Sequence, residues 1–298
     1  MKRINLNNIK GTIICSVIFL TLCINTELLT AQNNNLTELV NRAVSAGIDK
    51  SEFEILQTRA ANSGITDDQL VQIIEPALIM AEQNLPAELV FQKALEGIAK
   101  GVPASRMIPV LDGLRQNAEQ ASSIVDPWLQ RPEVESFLNR NREQAGINYR
   151  TEMLKAGVKT LSQSVPSEVL QSVLDEIGKE AVLSKTTPAS ILVGVNIIGD
   201  LPSTAVQPEA TGTLISKTLS GGFRADDMQK LPGAMNAAQR RSQLPAASII
   251  EGVTSQLQGG IPANQILQNL FNGNVSIGPP GNIPRGLENR PGRGRGNN

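Results

Sequence analysis

Residues Leu95 to Met107 read LEGIAKGVPASRM, and Gly101-Val102-Pro103 near their centre decide how the chain folds. Glycine enters the left-handed region at little cost and closes the last carbonyls of a helix. Proline has no N–H to leave unpaired and a φ already near the helical value, which suits the first position of the next helix. Val102, between them, can pack back across the joint as a hydrophobic staple. Gly-Val-Pro is therefore a stop followed by a start.

The phrase recurs as Leu85-Pro86-Ala87, Val165-Pro166-Ser167, Thr187-Pro188-Ala189, Leu201-Pro202-Ser203, Leu244-Pro245-Ala246 and Ile261-Pro262-Ala263. Pro86, Pro103, Pro166, Pro188, Pro202, Pro245 and Pro262 are accordingly expected at helix starts. Gly47, Gly64, Gly101 and Gly260 are expected as left-handed caps of the helices that have just ended. Two joints carry polar caps instead of proline: Asp49 with Glu52, and Thr66 with Gln69, both at capping-box spacing.

The joint residues Ile48, Ile65, Leu85 and Val102 lie 17, 20 and 17 positions apart, and Leu244 to Ile261 is again 17. Two joints make a period near 37, the length of a helix-turn-helix unit that must stack on its neighbours to bury an apolar face. LPAELVFQKALE from Leu85 aligns with VPSEVLQSVLDE from Val165, matching Glu88 to Glu168 and Glu96 to Glu176. Leu70, Ile73, Ile74 and Leu78 recur at the helical period, as do Ile249, Ile250, Val253 and Leu257, and no sustained alternation suggests strands. With 40% apolar but only 3% aromatic residues, aliphatic side chains must fill the core. The expected fold is all-α: stacked helical hairpins, as a solenoid-like array or an irregular bundle. Pro76 and Pro109 are expected to kink or split their helices. Gly97 costs roughly 1 kcal/mol against Ala in a helix interior, so a close helix crossing or an early helix end is expected there.

Lys2, Arg3 and Lys10 precede the apolar run Gly11 to Ile24, and Thr30 and Ala31 follow. Residues 1–31 thus read as a secretory signal peptide cleaved near Ala31, which makes the protein exported, periplasmic or extracellular. Lipidation at Cys23 is disfavoured by Leu22, and the run is short for a membrane span. Both cysteines, Cys15 and Cys23, would be removed with this segment. The remaining organisation is a first hairpin array at 32–121, a connector with a short helix at 122–148, a second array at 149–273 and a disordered tail at 274–298. Asp126-Pro127 and Arg131-Pro132 are the expected breakers of the connector, with a helix from Pro132 to Glu143. The tail is rich in Gly, Pro, Asn and Arg, with too little apolar surface to offset the entropy of ordering it.

The stretch from Leu85 resembles a group of uncharacterised exported bacterial helical-repeat proteins. They carry a Leu-Pro, Lys, Glu-Gly, Lys-Gly-Val-Pro, Arg series, matched here by Leu85, Pro86, Lys93, Glu96, Gly97, Lys100, Gly101, Val102, Pro103 and Arg106. The resemblance covers a minority of the chain. It implies an exported helical-repeat protein and no particular chemistry.

The sequence has no His, and the chain after Ala31 has no Cys. Self-contained His or thiolate zinc sites, Ser-His-Asp and Cys-His systems and haem attachment through Cys are thereby excluded. GVNIIGD, Gly194 to Asp200, has the look of a phosphate loop but lacks the Gly-Lys-Ser/Thr ending. Carboxylates remain as catalytic candidates for glycan hydrolysis: Glu133 with Glu135, Glu135 beside Ser136, and Asp175 with Glu176. Solvated helix faces are the competing explanation for these. Asp67-Asp68 and Asp226-Asp227 suit helix N-termini better than a metal loop. No metal or cofactor is expected. Arg285, Arg290, Arg293 and Arg295 make the tail basic against Glu288 alone, so it is a candidate for weak attachment to anionic surfaces such as phospholipid head groups. Trp128, the single Trp, is a candidate partner anchor or a core plug. The expected function is non-enzymatic binding or scaffolding of an unidentified protein or envelope component. A carboxylate-dependent cell-wall hydrolase and tail-mediated envelope attachment are the alternatives.

Overall fold

A computed structural model describes residues 38–146, 148–202 and 207–275. Among these residues the protein is all-helical, and no strand occurs. The chain divides into two compact units, Met1–Glu119 and Gln120–Asn298. The signal peptide expected at 1–31 lies outside the described residues, as does the tail from 276 onward. No helix among the described residues is long and apolar enough to cross a membrane.

The first unit contains α1 (38–45), α2 (Lys50–Asn62), α3 (Asp67–Glu82), α4 (Glu88–Ala99) and the start of α5 (Ala104–Leu129). Helix α4 packs on both α2 and α3. It turns Val90, Phe91, Ala94 and Ile98 inward, a spacing of one, three and four that places them on one face. Helix α3 runs unsplit through Pro76 and α5 unsplit through Pro109, so the split that was one of the two outcomes expected at each proline does not occur. A mid-helix proline costs about 3 kcal/mol. Burial of Leu70, Ile73, Ile74, Leu78 and Met80 on α3 outweighs it, each being worth about 1.5–3 kcal/mol.

The second unit contains the end of α5, then α6 (Pro132–Arg140), α7 (Arg142–Ala145), α8 (Tyr149–Ser162), α9 (Ser167–Ile177), α10 (Glu180–Leu183), α11 (Pro188–Asn196), a 3-10 turn at Ile198–Asp200, α12 (Pro208–Ser220), α13 (Ala225–Ser242), α14 (Ala246–Gln258) and α15 (Ala263–Asn272). Helix α8 packs on α11, α11 on α13 and α13 on α15, while α9 packs on α12 and α12 on α14. Pro127 does not break the chain, because α5 continues through it to Leu129. Ala121, Val125 and Trp128, three to four apart, are all buried and keep that last stretch helical. The helix expected from Pro132 to Glu143 is instead two, α6 and α7, interrupted at Asn141.

The joints are built much as their sequence implies. Gly47, Gly64, Gly101 and Gly260 have φ of +89°, +74°, +67° and +72°. The following apolar residue closes a six-to-one bond of the Schellman type: Ile65 N–H to the Ala60 carbonyl at 3.0 Å, Val102 to Gly97 at 2.9 Å and Ile261 to Gln256 at 3.1 Å. The prolines sit one step earlier than expected. Pro166, Pro245 and Pro262 are N-caps with ψ of 142°, 153° and 152°, and Pro103 immediately precedes α5. Their carbonyls accept the first helical bonds, as Pro262 does from Ile266 at 3.0 Å, a role for which a missing N–H is no handicap. Pro188 alone among these phrases is the first helical residue, capped by the Thr187 hydroxyl. Pro86 precedes α4 by two residues. Pro202 starts no helix: it lies in a bend after the 3-10 turn, and α12 begins at Pro208, which takes the first-turn position instead.

Candidate functional site

Helix α4 and its C-cap leave Lys93, Glu96 and Lys100 exposed at spacings of three and four, with half-buried Gly97 between them and the buried face. Lys100 caps the helix, Gly101 adopts φ +67°, and Pro103 accepts from the Arg106 and Met107 N–H groups at 2.9 and 3.2 Å. This turn sets the first residues of α5 beside Gly97 and those charged residues. The result is a cavity of about 240 Å³ lined by Lys93, Glu96, Gly97, Lys100, Val102, Arg106, Met107, Val110 and Leu111. All of it lies within the first unit.

The floor is apolar. Met107 and Leu111 are buried, and Val110 is 51% exposed at the lip. Gly97 leaves room for this arrangement, because a Cβ there would meet the Met107 thioether and push that side chain off the floor. Of the two outcomes expected for Gly97, the close approach is the one found, since α4 runs on to Ala99.

The rim is charged. The Glu96 carboxylate accepts from Lys93 Nζ at 2.9 Å and from Lys100 Nζ at 2.5 Å. Those bonds, from Lys100 foremost and then Lys93, draw its pKa down to about 2. Glu96 thus clasps two ammonium groups at the cavity mouth, and each retains donors for a further acceptor. Arg106 is exposed, and among the described residues its guanidinium makes no hydrogen bond or ion pair. Three cations against one carboxylate leave the rim net positive over an apolar floor.

Several of the sequence candidates lie elsewhere. Trp128 is 1% exposed, and its indole N–H has no hydrogen-bond partner among the described residues. It lies against Gly178, where an added Cβ would come within 3.1 Å of Nε1. Arg285, Arg290, Arg293 and Arg295 fall outside the described residues. Glu133 and Glu135 are exposed in the first turn of α6. Asp175 is ion-paired with Arg131 and Glu176 with Lys179, the latter at 2.6 Å. Asp67 and Asp68 occupy the first turn of α3 behind a Thr66–Gln69 capping box, and Asp227 accepts from the Arg224 N–H at 3.3 Å. Asp49 caps α2 through the Ser51 N–H at 2.8 Å rather than through the Glu52 position that its spacing suggested. Gly194 lies within α11, and Ile198 to Asp200 form the 3-10 turn. No group of three or more His, Cys, Asp or Glu among the described residues could hold a metal ion.

Lys93, Glu96, Lys100 and Arg106 carry no functional expectation from composition or motif chemistry, although all four belong to the quoted resemblance. The signal was their placement: three charges at helical spacing on the polar face of α4, and a fourth one turn beyond Pro103. Compared with protein-family models, with curated proteins and with solved structures, the chain matches none.

Proposed function

We propose that the chain is an exported, non-enzymatic helical-repeat protein that acts by binding, with the α4–α5 cavity as its binding site. The observation that carries this reading is the pairing of an apolar floor with a cationic rim on which Arg106 is unengaged among the described residues. Binding sites characteristically combine a mainly apolar concavity with a few placed polar groups. The repeat part of the reading is supported by packing in the second unit, where alternate helices form two rows, α8, α11, α13 and α15 in one and α9, α12 and α14 in the other. Export rests on the sequence of residues 1–31.

The test is site-directed photocrosslinking in the native envelope, with a photoreactive residue at position 110. The expected result is a saturable adduct that disappears when Lys100→Glu and Arg106→Glu are introduced together. An adduct indifferent to that charge reversal, or no adduct at all, would overturn the binding reading.

A further inference from the structure

The cavity is smaller than the roughly 300–1,000 Å³ typical of sites for drug-sized ligands. An apolar cavity of about 150 Å³ accommodates benzene. At about 240 Å³, this one can enclose a single ring or a short alkyl chain. Its contacts with such a group would come from Val102, Met107, Val110 and Leu111. Those residues offer carbon and one thioether, with no aromatic face to favour a sugar or a flat heterocycle.

The polar groups select the other end of the ligand. Lys93, Lys100 and Arg106 are donors only, and the sole acceptor side chain on the rim, Glu96, is already occupied by the two lysines. A cationic ligand would meet three like charges, and a neutral one would draw nothing from the positive charge of the rim. Arg106 offers a planar fork matched to a carboxylate. The basic tail of this same chain does not suit the site, because between Asn274 and Asn298 it brings four arginines against one glutamate.

We propose that the α4–α5 cavity binds a small amphiphilic carboxylate. Its short alkyl portion lies over Gly97 and Met107, and its carboxylate lies between Arg106 and Lys100. This deepens the binding reading and depends on it. Glu96 acts as a positioning residue that holds the two ammonium groups at the rim.

The experiment uses the chain from Gln32 to Asn298, the product expected of cleavage after Ala31, with 13C-labelled methionine methyls and titrates octanoate. Met107 is the reporter, and Met80, buried in the same unit, is the internal control. The expected result is a saturable shift of Met107 alone. Acetate and 1-octanol, each supplying half of the chemistry, should bind at least ten-fold more weakly, and octylammonium should not bind. The Lys100→Gln, Arg106→Gln chain should lose octanoate binding ten-fold or more while keeping its far-ultraviolet circular dichroism, and Arg106→Lys should restore part of it. Equal responses to octanoate and 1-octanol would overturn the proposal, because the rim would then contribute nothing. So would silence toward octanoate alongside tight binding of an acidic peptide; in that case the protein would remain a binding protein with a macromolecular partner.

Discussion

Ser164 holds the backbone at φ +62°, and Asn84 and Gln243 adopt +55° and +58°, in joints of the kind that Gly47, Gly64, Gly101, Gly222 and Gly260 close elsewhere with glycine. The left-handed region costs a residue with a Cβ roughly 1 kcal/mol, less for Asn than for Ser. Ser164→Gly is therefore expected to stabilise the second unit by up to about 1 kcal/mol, and Gly101→Ala to destabilise the first by about the same. Denaturant melts of both variants check the pair, and opposite signs are the expected outcome. Asp126 is a second residue whose value can be argued singly. Its carboxylate is gripped by Arg150 through Nε at 2.7 Å and Nη2 at 2.8 Å, and Ser122 donates to it as well. The Arg150 bonds hold its pKa below the usual 3.8, and burial only partly opposes them. A depressed folded pKa adds stability that is fully present above the unfolded value and is lost as pH falls through the folded one. Asp126→Asn should thus cost about 1–2 kcal/mol near neutral pH, allowing for the partial exposure of both partners. It should also flatten the loss of stability below about pH 4, as measured by chemical unfolding across an acid series.

Helix crossings are set by glycine more often than the sequence alone reveals. On α12, a Cβ at Gly212 would stand 2.9 Å from the Ser172 carbonyl oxygen of α9, a backbone atom that cannot swing aside. Gly212→Ala should cost about 1–3 kcal/mol through forced separation of the two helices, against about 1 kcal/mol regained in helix propensity. Gly113 of α5 has nothing within 4 Å of the same added atom, so Gly113→Ala should stabilise by about 0.4–1 kcal/mol. Calorimetry on the two variants distinguishes a packing glycine from an idle one. In the sequence, both are simply glycines inside helical runs. What was legible there was local: the left-handed caps, the capping box at Thr66 and the all-α class, because each follows from bonds between residues a few positions apart. What was not legible depended on partners distant in the chain. The apolar repeat around Pro76 and the core-plug reading of Trp128 beside Pro127 were both legible, but not that burial would outweigh the proline at each; nor was it legible that Met107, ten positions on, is the side chain that closes on Gly97. The candidate site was missed for a related reason. Lys93, Glu96 and Lys100 look like an ordinary solvated face until the Gly101-to-Pro103 turn brings α5 against it.

For the molecule as a whole, the export reading makes a direct prediction. Chain produced in a bacterial host with its leader intact should be recovered outside the cytoplasm with Gln32 as its first residue, determined by intact mass and N-terminal sequencing. Recovery only as a cytoplasmic chain still beginning at Met1 would count against it. The interior of the second unit can also be followed on its own, thanks to where the aromatic residues fall. The only Trp and the only Tyr, Trp128 and Tyr149, both belong to the second unit, and Trp128 is sealed in its interior with an indole N–H that meets no acceptor among the described residues. Intrinsic fluorescence is therefore a private signal of that unit: blue-shifted while it is folded, moving to the red as water reaches the ring. Ellipticity follows every helix while emission follows the packing around Trp128, so a single titration cuvette sets one against the other in one unlabelled protein.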